Sequence, residues 1–196
     1  MTVAISTFLG MMAARALSKN IWINKLLDPL LLLPLGTSAV TLGMGYILIY
    51  GKLNFDKFSF PWIIPIAHSL VALPFVVRTL QPAITSIPDN LKEAASVLGA
   101  SPRSVWRFIE FPIILRAIIV AAIFSFLISL GEFSATMFLT RPEFPTIPIV
   151  IYRFISQPGQ LNYGQALAMS TILMIVCAIS IFLIEKFQVE ENLKIK

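Results

Sequence analysis

Residues 29–50 form a run of 22 positions without a charged side chain. A helix of that length, at about 1.5 Å per residue, reaches roughly 33 Å, the depth of a bilayer's hydrocarbon core. The feature recurs along the chain. Residues 164–184 are also free of charge, residues 113–131 hold only Arg116, and residues 60–77 hold no Lys, Arg, Asp or Glu before Arg78. With 57% hydrophobic and 13% charged residues and a mean hydropathy of +0.85, the chain is far from soluble composition. A backbone in lipid must satisfy its own hydrogen bonds, so runs of this length predict helices. The expectation is an all-α integral membrane protein, one domain over residues 1–196.

Five hydrophobic segments give about five transmembrane helices. Residues 1–14 are apolar but short, since a span needs about 20 residues. Arg15, Lys19 and Lys25 follow this stretch, whereas a secretory leader carries its cations in front. It is read as the end of a helix whose beginning lies upstream. In residues 29–50, Gly36, Ser38, Ala39, Gly43 and Gly45 allow close helix approach. A polar connection, residues 51–59, leads to the span 60–77, where Pro61, Pro65 and Pro74 predict kinks and Arg78 marks the end. Residues 132–163 read as loop-like, with turn signals at Arg141-Pro142-Glu143, Pro145, Pro148 and Pro158-Gly159. Their apolar middle, 147–155, is expected at the interface or against the bundle. The last span, 164–184, precedes a charged tail, 185–196. Trp22, Tyr50 and Trp62 fall near predicted membrane edges and read as interfacial anchors. Cys177, the one cysteine, reads as a small buried apolar residue.

The formal net charge of +5 raises nucleic acid as a partner. That class needs a clustered basic face, and here the cations are dispersed between apolar runs. No nucleic-acid role is expected; the dispersion reports topology instead. If residues 86–112 are cytoplasmic, that side carries eleven cations: Arg15, Lys19, Lys25, Arg78, Lys92, Arg103, Arg107, Arg116, Lys186, Lys194 and Lys196. The opposite side carries four, Lys52, Lys57, Arg141 and Arg153. The positive-inside rule therefore puts residues 86–112 and the C-terminus in the cytoplasm of a cell membrane protein.

Residues 86–112 are the longest stretch to mix charges with helix formers. Ser86 can cap a helix with Pro88 in its opening turn and Asp89 three residues on. Leu91, Ala94, Ala95 and Leu98 repeat with the spacing of one helical face, and Gly99 suits the left-handed position after it. Ser101-Pro102 opens a second helix that runs through Trp106 and Phe108 into the next span, with Pro112 at the boundary. The result is a short helix beside the membrane, joined through a glycine turn to a transmembrane helix. From amphipathicity alone it could equally be an ordinary interfacial helix.

The sequence Glu93-Ala94-Ala95, three residues, Gly99, nine residues, Ile109-x-Phe111-Pro112 resembles the EAA signature of permease subunits of ATP-driven, binding-protein-dependent importers. Phe111 departs from the Leu usual in that family. The resemblance covers essentially the whole chain and implies the type I importer transmembrane domain. It also implies that Glu93, Ala94, Ala95, Gly99, Ile109 and Pro112 couple to a cytoplasmic ABC ATPase dimer. The further partners implied are an extracytoplasmic substrate-binding protein and a second permease half or a second copy, with lipid around them. The segment Leu130-Gly131-Glu132-Phe133-Ser134-Ala135-Thr136, with Arg141-Pro142-Glu143 and Gly164-Gln165-Ala166, looks most like ferric-iron or thiamine permeases. Related segments occur in molybdate, tungstate and sulfate permeases, and polyamine is a further, weaker candidate. The chain looks like the second half of a double-length permease or one clipped at its start.

Glu132, with Ser134 and Thr136, is a candidate for the translocation path, the alternative being a plain interfacial carboxylate. His68 lies in a span with no second ligand nearby in sequence and reads as a hydrogen-bonded packing residue. No metal or cofactor is expected. The chain has no G-x-x-x-x-G-K-[ST] phosphate loop, so it is not expected to be an enzyme, and ATP hydrolysis falls to another subunit. A membrane-embedded enzyme would need a nucleophile and base, or clustered carboxylates and histidines, at one depth. One His and few intramembrane acids argue against it. A passive assembly subunit is the other alternative.

Overall fold

The structure, a computed structural model, describes residues 1–18, 24–52, 60–140, 142 and 144–194, and all regular elements among them are helical. Lys19, Trp22, residues 53–59, Arg141, Glu143 and Lys196 lie outside the described residues, as does the side chain of Tyr50. In chain order the elements are α1 (Thr2–Leu17), α2 (Asn24–Gly36), α3 (Ala39–Lys52), α4 (Phe60–Thr85) and α5 (Asp89–Val97). Then come α6 (Pro102–Val105), a π-helical turn (Trp106–Glu110), α7 (Phe111–Gly131), α8 (Ser134–Leu139), α9 (Ile147–Ile155) and α10 (Gln160–Lys194).

Among the described residues, three helical stretches are long and apolar enough to cross a membrane, Trp62–Thr85, Pro102–Gly131 and Gln160–Phe187. A fourth crossing is available if the pair Leu26–Gly36 and Val40–Ile49 counts as one broken span. With α1 as a shorter apolar helix, this is the all-α membrane architecture expected from hydropathy.

Three expected boundaries are corrected. Residues 29–50 are not one straight helix, because the axis turns by 100° between Gly36 and Val40. Pro34 inside α2 has no N–H to give, and the Thr37 hydroxyl donates to the Pro34 carbonyl at 3.2 Å. The next helix starts afresh with Leu42 N–H donating to Ser38 O at 3.1 Å. A hydroxyl side chain bonded to nearby backbone in this way competes with extension of the helix. Second, α4 does not stop at Arg78 but continues to Thr85 with Pro65, Pro74 and Pro82 inside it. Arg78 is half-exposed and pairs with Asp28 of α2 at 3.3 Å, so its charge does not have to end the helix. Third, residues 132–163 contain α8 and α9 rather than a continuous loop, and α10 begins at Gln160.

The core forms where α1 lies against α4 and α7. Ala14, Leu17, Val76, Val77, Leu80 and Ala121 are buried together there. Helices approach this closely in lipid because small residues stand at the contact. At Gly10 a methyl group would come within 3.0 Å of Val76 Cβ. A second contact brings α3 onto α8, where a Cβ at Gly43 would sit 3.1 Å from the Ala135 backbone. The outer helix α10 is largely uncovered, with Leu167, Ile172, Met174 and Ile179 all more than half exposed.

Candidate functional site

The residues matching the importer signature lie on α5, on the turn after it and at the junction of the π-helical turn with α7. The chain leaves α4 at Thr85, tucks Ile87 into the protein, and passes Pro88 in extended conformation (φ −65°, ψ 137°). The expected Ser86 cap does not form. Ser86 is consumed by the extension of α4, its hydroxyl donating back to Ala83 O at 2.9 Å, so α5 starts at Asp89 without a side-chain cap. Lys92 and Asp89 form an ion pair at 3.0 Å along the exposed helix.

At the other end the expected turn is present in full. Gly99 has φ +83°, its N–H donates to Ser96 O at 3.0 Å, and Ala100 N–H donates to Ala95 O at 3.0 Å. This pair of bonds is the Schellman motif, which closes a helix while reversing the chain. Ser101 then caps the next helix, accepting from Ser104 N–H at 3.2 Å, with Pro102 in the first turn as expected.

No residue of α5 is buried. Glu93 and Ala94 are exposed, Ala95 is half-buried, and Val97 and Leu98 are 87% and 88% exposed. Leu91 and Phe108 add apolar surface to this end of the molecule. A polar helix with no buried residue that ends in bare Val and Leu leaves apolar surface uncovered by the described residues. Ile109 is half-buried in the π-helical turn and Pro112 is exposed one residue into α7. The turn follows from Pro112, which has no N–H for the Phe108 carbonyl. Phe111 N–H reaches five residues back to Trp106 O instead.

The sequence gives no hint of what holds that turn. Arg15, in the last turn of α1, places its guanidinium 3.4 Å above the Trp106 ring and bonds the Glu110 carboxylate at 3.2 Å. Stacking of this kind stabilises by about 0.5–2 kcal/mol. Arg15 lies more than 90 residues from the other two, beyond the reach of any local pattern.

The second candidate group lies between α7 and α8. Glu132 Oε1 accepts from Ala135 N–H at 2.9 Å, so the carboxylate closes the first turn of α8. Ser134 is the first residue of that helix and is half-buried. Thr136 is fully buried, turned toward His68 of α4 with 2.6 Å between its hydroxyl and Nε2. Glu132 and Thr136 are thus brought into one structural unit, but Thr136 faces another helix. Its hydroxyl donates to Glu132 O at 3.1 Å. His68 Nδ1 lies 2.9 Å from Ser129 of α7, and Ser129 lies 3.2 Å from Thr2 of α1. A turn away, Ser6 and Ser125 share a buried hydrogen bond at 2.5 Å. His68 therefore ties four helices together. Hydrogen bonds of this kind within a membrane stabilise by about 0.6 kcal/mol each on average.

Because Gln can accept the same Ala135 N–H, Glu132→Gln removes the charge and keeps the cap. If the charge serves the path, uptake falls while the yield of assembled complex is unchanged; wild-type uptake assigns Glu132 to capping alone. Glu132→Ala removes the cap as well and is expected to cost about 1 kcal/mol of stability, read as a lower thermal midpoint.

Residues 6–189 match the family described as binding-protein-dependent transport system inner membrane component. The chain is 28% identical over 184 residues to the molybdenum transport system permease protein ModB of Haemophilus influenzae, covering 87% of this chain and 79% of that protein. It is 27% identical over 172 residues to the sulfate transport system permease protein CysT of Salmonella typhimurium, covering 85% and 62%. PhnV of the same organism, provisionally named for 2-aminoethylphosphonate transport, is 27% identical over 180 residues, with coverage of 91% and 66%. The chain spans less than two thirds of the length of the last two. With the match extending through the helices that carry both candidate sites, the chain belongs to the family of binding-protein-dependent transport system inner membrane components.

Proposed function

We propose that the chain is the translocating subunit of an ATP-driven importer and that α5 with its glycine turn is the surface on which a cytoplasmic ATPase subunit docks. The observation that carries this reading is the α5–Gly99–α6 unit: a helix with no buried residue, closed by a Schellman turn and continued through the π-helical turn into a membrane-crossing helix. Ala94 and Ala95 permit close approach, Glu93 offers a carboxylate to a donor, and Val97 and Leu98 offer apolar area that docking would cover. Closure of an ATPase dimer on ATP would pull two such units together. The bundle follows only if the ATPase contacts differ between its open and closed states. In this reading residues 86–112 and the C-terminus face the cytoplasm, a binding protein delivers substrate at the opposite face, and a second permease half or a second copy completes the pathway.

For the substrate we favour a small oxyanion over ferric iron or thiamine. Sulfate and phosphonates are oxyanions, as is molybdenum in oxygenated water, and the named relatives are associated with these three. Uptake by the complete complex, measured with sulfate, molybdate, ferric iron and thiamine in parallel, tests this directly. ATP-dependent accumulation of an oxyanion supports the assignment; accumulation of ferric iron or thiamine alone reverses it.

A further inference from the structure

We infer that Arg15 is a positioning residue that braces the π-helical turn between the docking helix and the membrane, so that movement of α5 reaches the bundle instead of being absorbed at the turn. The inference rests on the docking reading of residues 86–112. Three observations carry it. First, residues 106–110 interrupt the α-helical ladder between α6 and α7, with a bond from Phe111 N–H to Trp106 O and Pro112 unable to donate. A helix yields most easily where its ladder is interrupted.

Second, Arg15 grips both ends of that turn at once. Its guanidinium stacks on Trp106, the first residue, at 3.4 Å and bonds Glu110, the last, at 3.2 Å. Trp106 is in turn held edge-on by Phe111, with ring centroids 6.1 Å apart. A planar guanidinium can stack and bond in its plane simultaneously, which an ammonium cannot. Third, the helix that carries Arg15 is itself fixed to both inner helices. Gly10 lies against Val76 of α4, and Ser6 is bonded to Ser125 of α7. A displacement of Trp106 and Glu110 would thus load α1, and through it α4 and α7, as one body.

The test uses the complex of this chain with its ATPase and binding protein in liposomes, measuring ATPase retention, ATP hydrolysis and uptake. Arg15→Gln is expected to keep the ATPase bound while uptake per ATP hydrolysed falls about fivefold, the low end of coupling between distant sites. Arg15→Lys retains charge without the stack and is expected to fall between. The exchanged pair Arg15→Glu with Glu110→Arg restores the ion pair and is expected to recover part of the loss. A merely structural Arg15 would lower the amount of complex and leave uptake per ATP unchanged, and that result overturns the inference. Should Arg15→Gln fail to accumulate, Trp106→Leu removes the stack and the edge contact with Phe111 while keeping the Arg15–Glu110 pair, and unchanged uptake per ATP in that variant overturns it equally. Failure of the docking reading is separate, since it shows as full uptake in Gly99→Pro.

Discussion

Replacing Gly99 with proline is expected to abolish ATP-driven uptake. The position has φ +83° and nothing within 4 Å of where a Cβ would stand, so conformation and not space excludes other residues. Proline holds φ near −65° and lacks the N–H that Gly99 donates to Ser96 O at 3.0 Å. The turn cannot form, and α5 leaves α6 at another angle. Gly99→Ala is the graded control. A left-handed conformation costs an L-residue about 1–2 kcal/mol, which weakens the turn without forbidding it. Measurable uptake is therefore expected from Gly99→Ala and none from Gly99→Pro. Since Gly99 projects from the bundle, thermal stability of the isolated chain in detergent should change little in either variant. Loss of uptake together with loss of the folded chain would refute that separation of roles.

Gly10→Val is expected to have the opposite signature, damaging the fold itself. Here the obstacle is space. A Cβ at Gly10 would meet Val76 Cγ1 and lie 3.0 Å from Val76 Cβ. Val76 is fully buried and branched at Cβ, so it has no free end to swing aside. Overpacking a well-filled core costs typically about 1–3 kcal/mol, and valine adds two methyl groups to the clash. Stabilities of folded proteins are only about 5–15 kcal/mol, so a marked drop in thermal midpoint and membrane yield should follow. Shortening the neighbour in Val76→Ala should recover part of the loss when combined with Gly10→Val. Independent, additive losses would contradict direct packing between the two positions.

These two glycines show what was legible in sequence. Gly99 follows an apolar helical repeat and precedes Ser-Pro, so its role as a left-handed turn could be read locally. Gly10 lies in an apolar run like any other, and its partner is 66 positions away. Ser101 and Ser86 make the same contrast for capping. Both precede a helix-forming stretch. Ser101 caps because the turn before it has already ended α5, while Ser86 is drawn into the end of α4. The membrane class followed from charge-free length alone. The bend between Gly36 and Val40 did not, because hydropathy cannot distinguish a long apolar helix from two short ones. For Glu132 and Thr136 the sequence indicated proximity, but only the fold turns Thr136 to His68 and uses the Glu132 carboxylate as a cap. The contact of Arg15 with Trp106 and Glu110 left no trace in local pattern at all.

Docking of an ATPase on α5 is tested most directly by co-purification of its cognate ATPase subunit, carrying a phosphate loop, with wild-type chain and with Glu93→Arg. Glu93 is exposed in α5, so its reversal should leave the bundle intact. The expected result is a stable complex with the wild type and loss of the ATPase from Glu93→Arg at equal recovery of folded chain. Equal retention of the ATPase by both, with ATP-driven uptake intact in the variant, would contradict docking through α5.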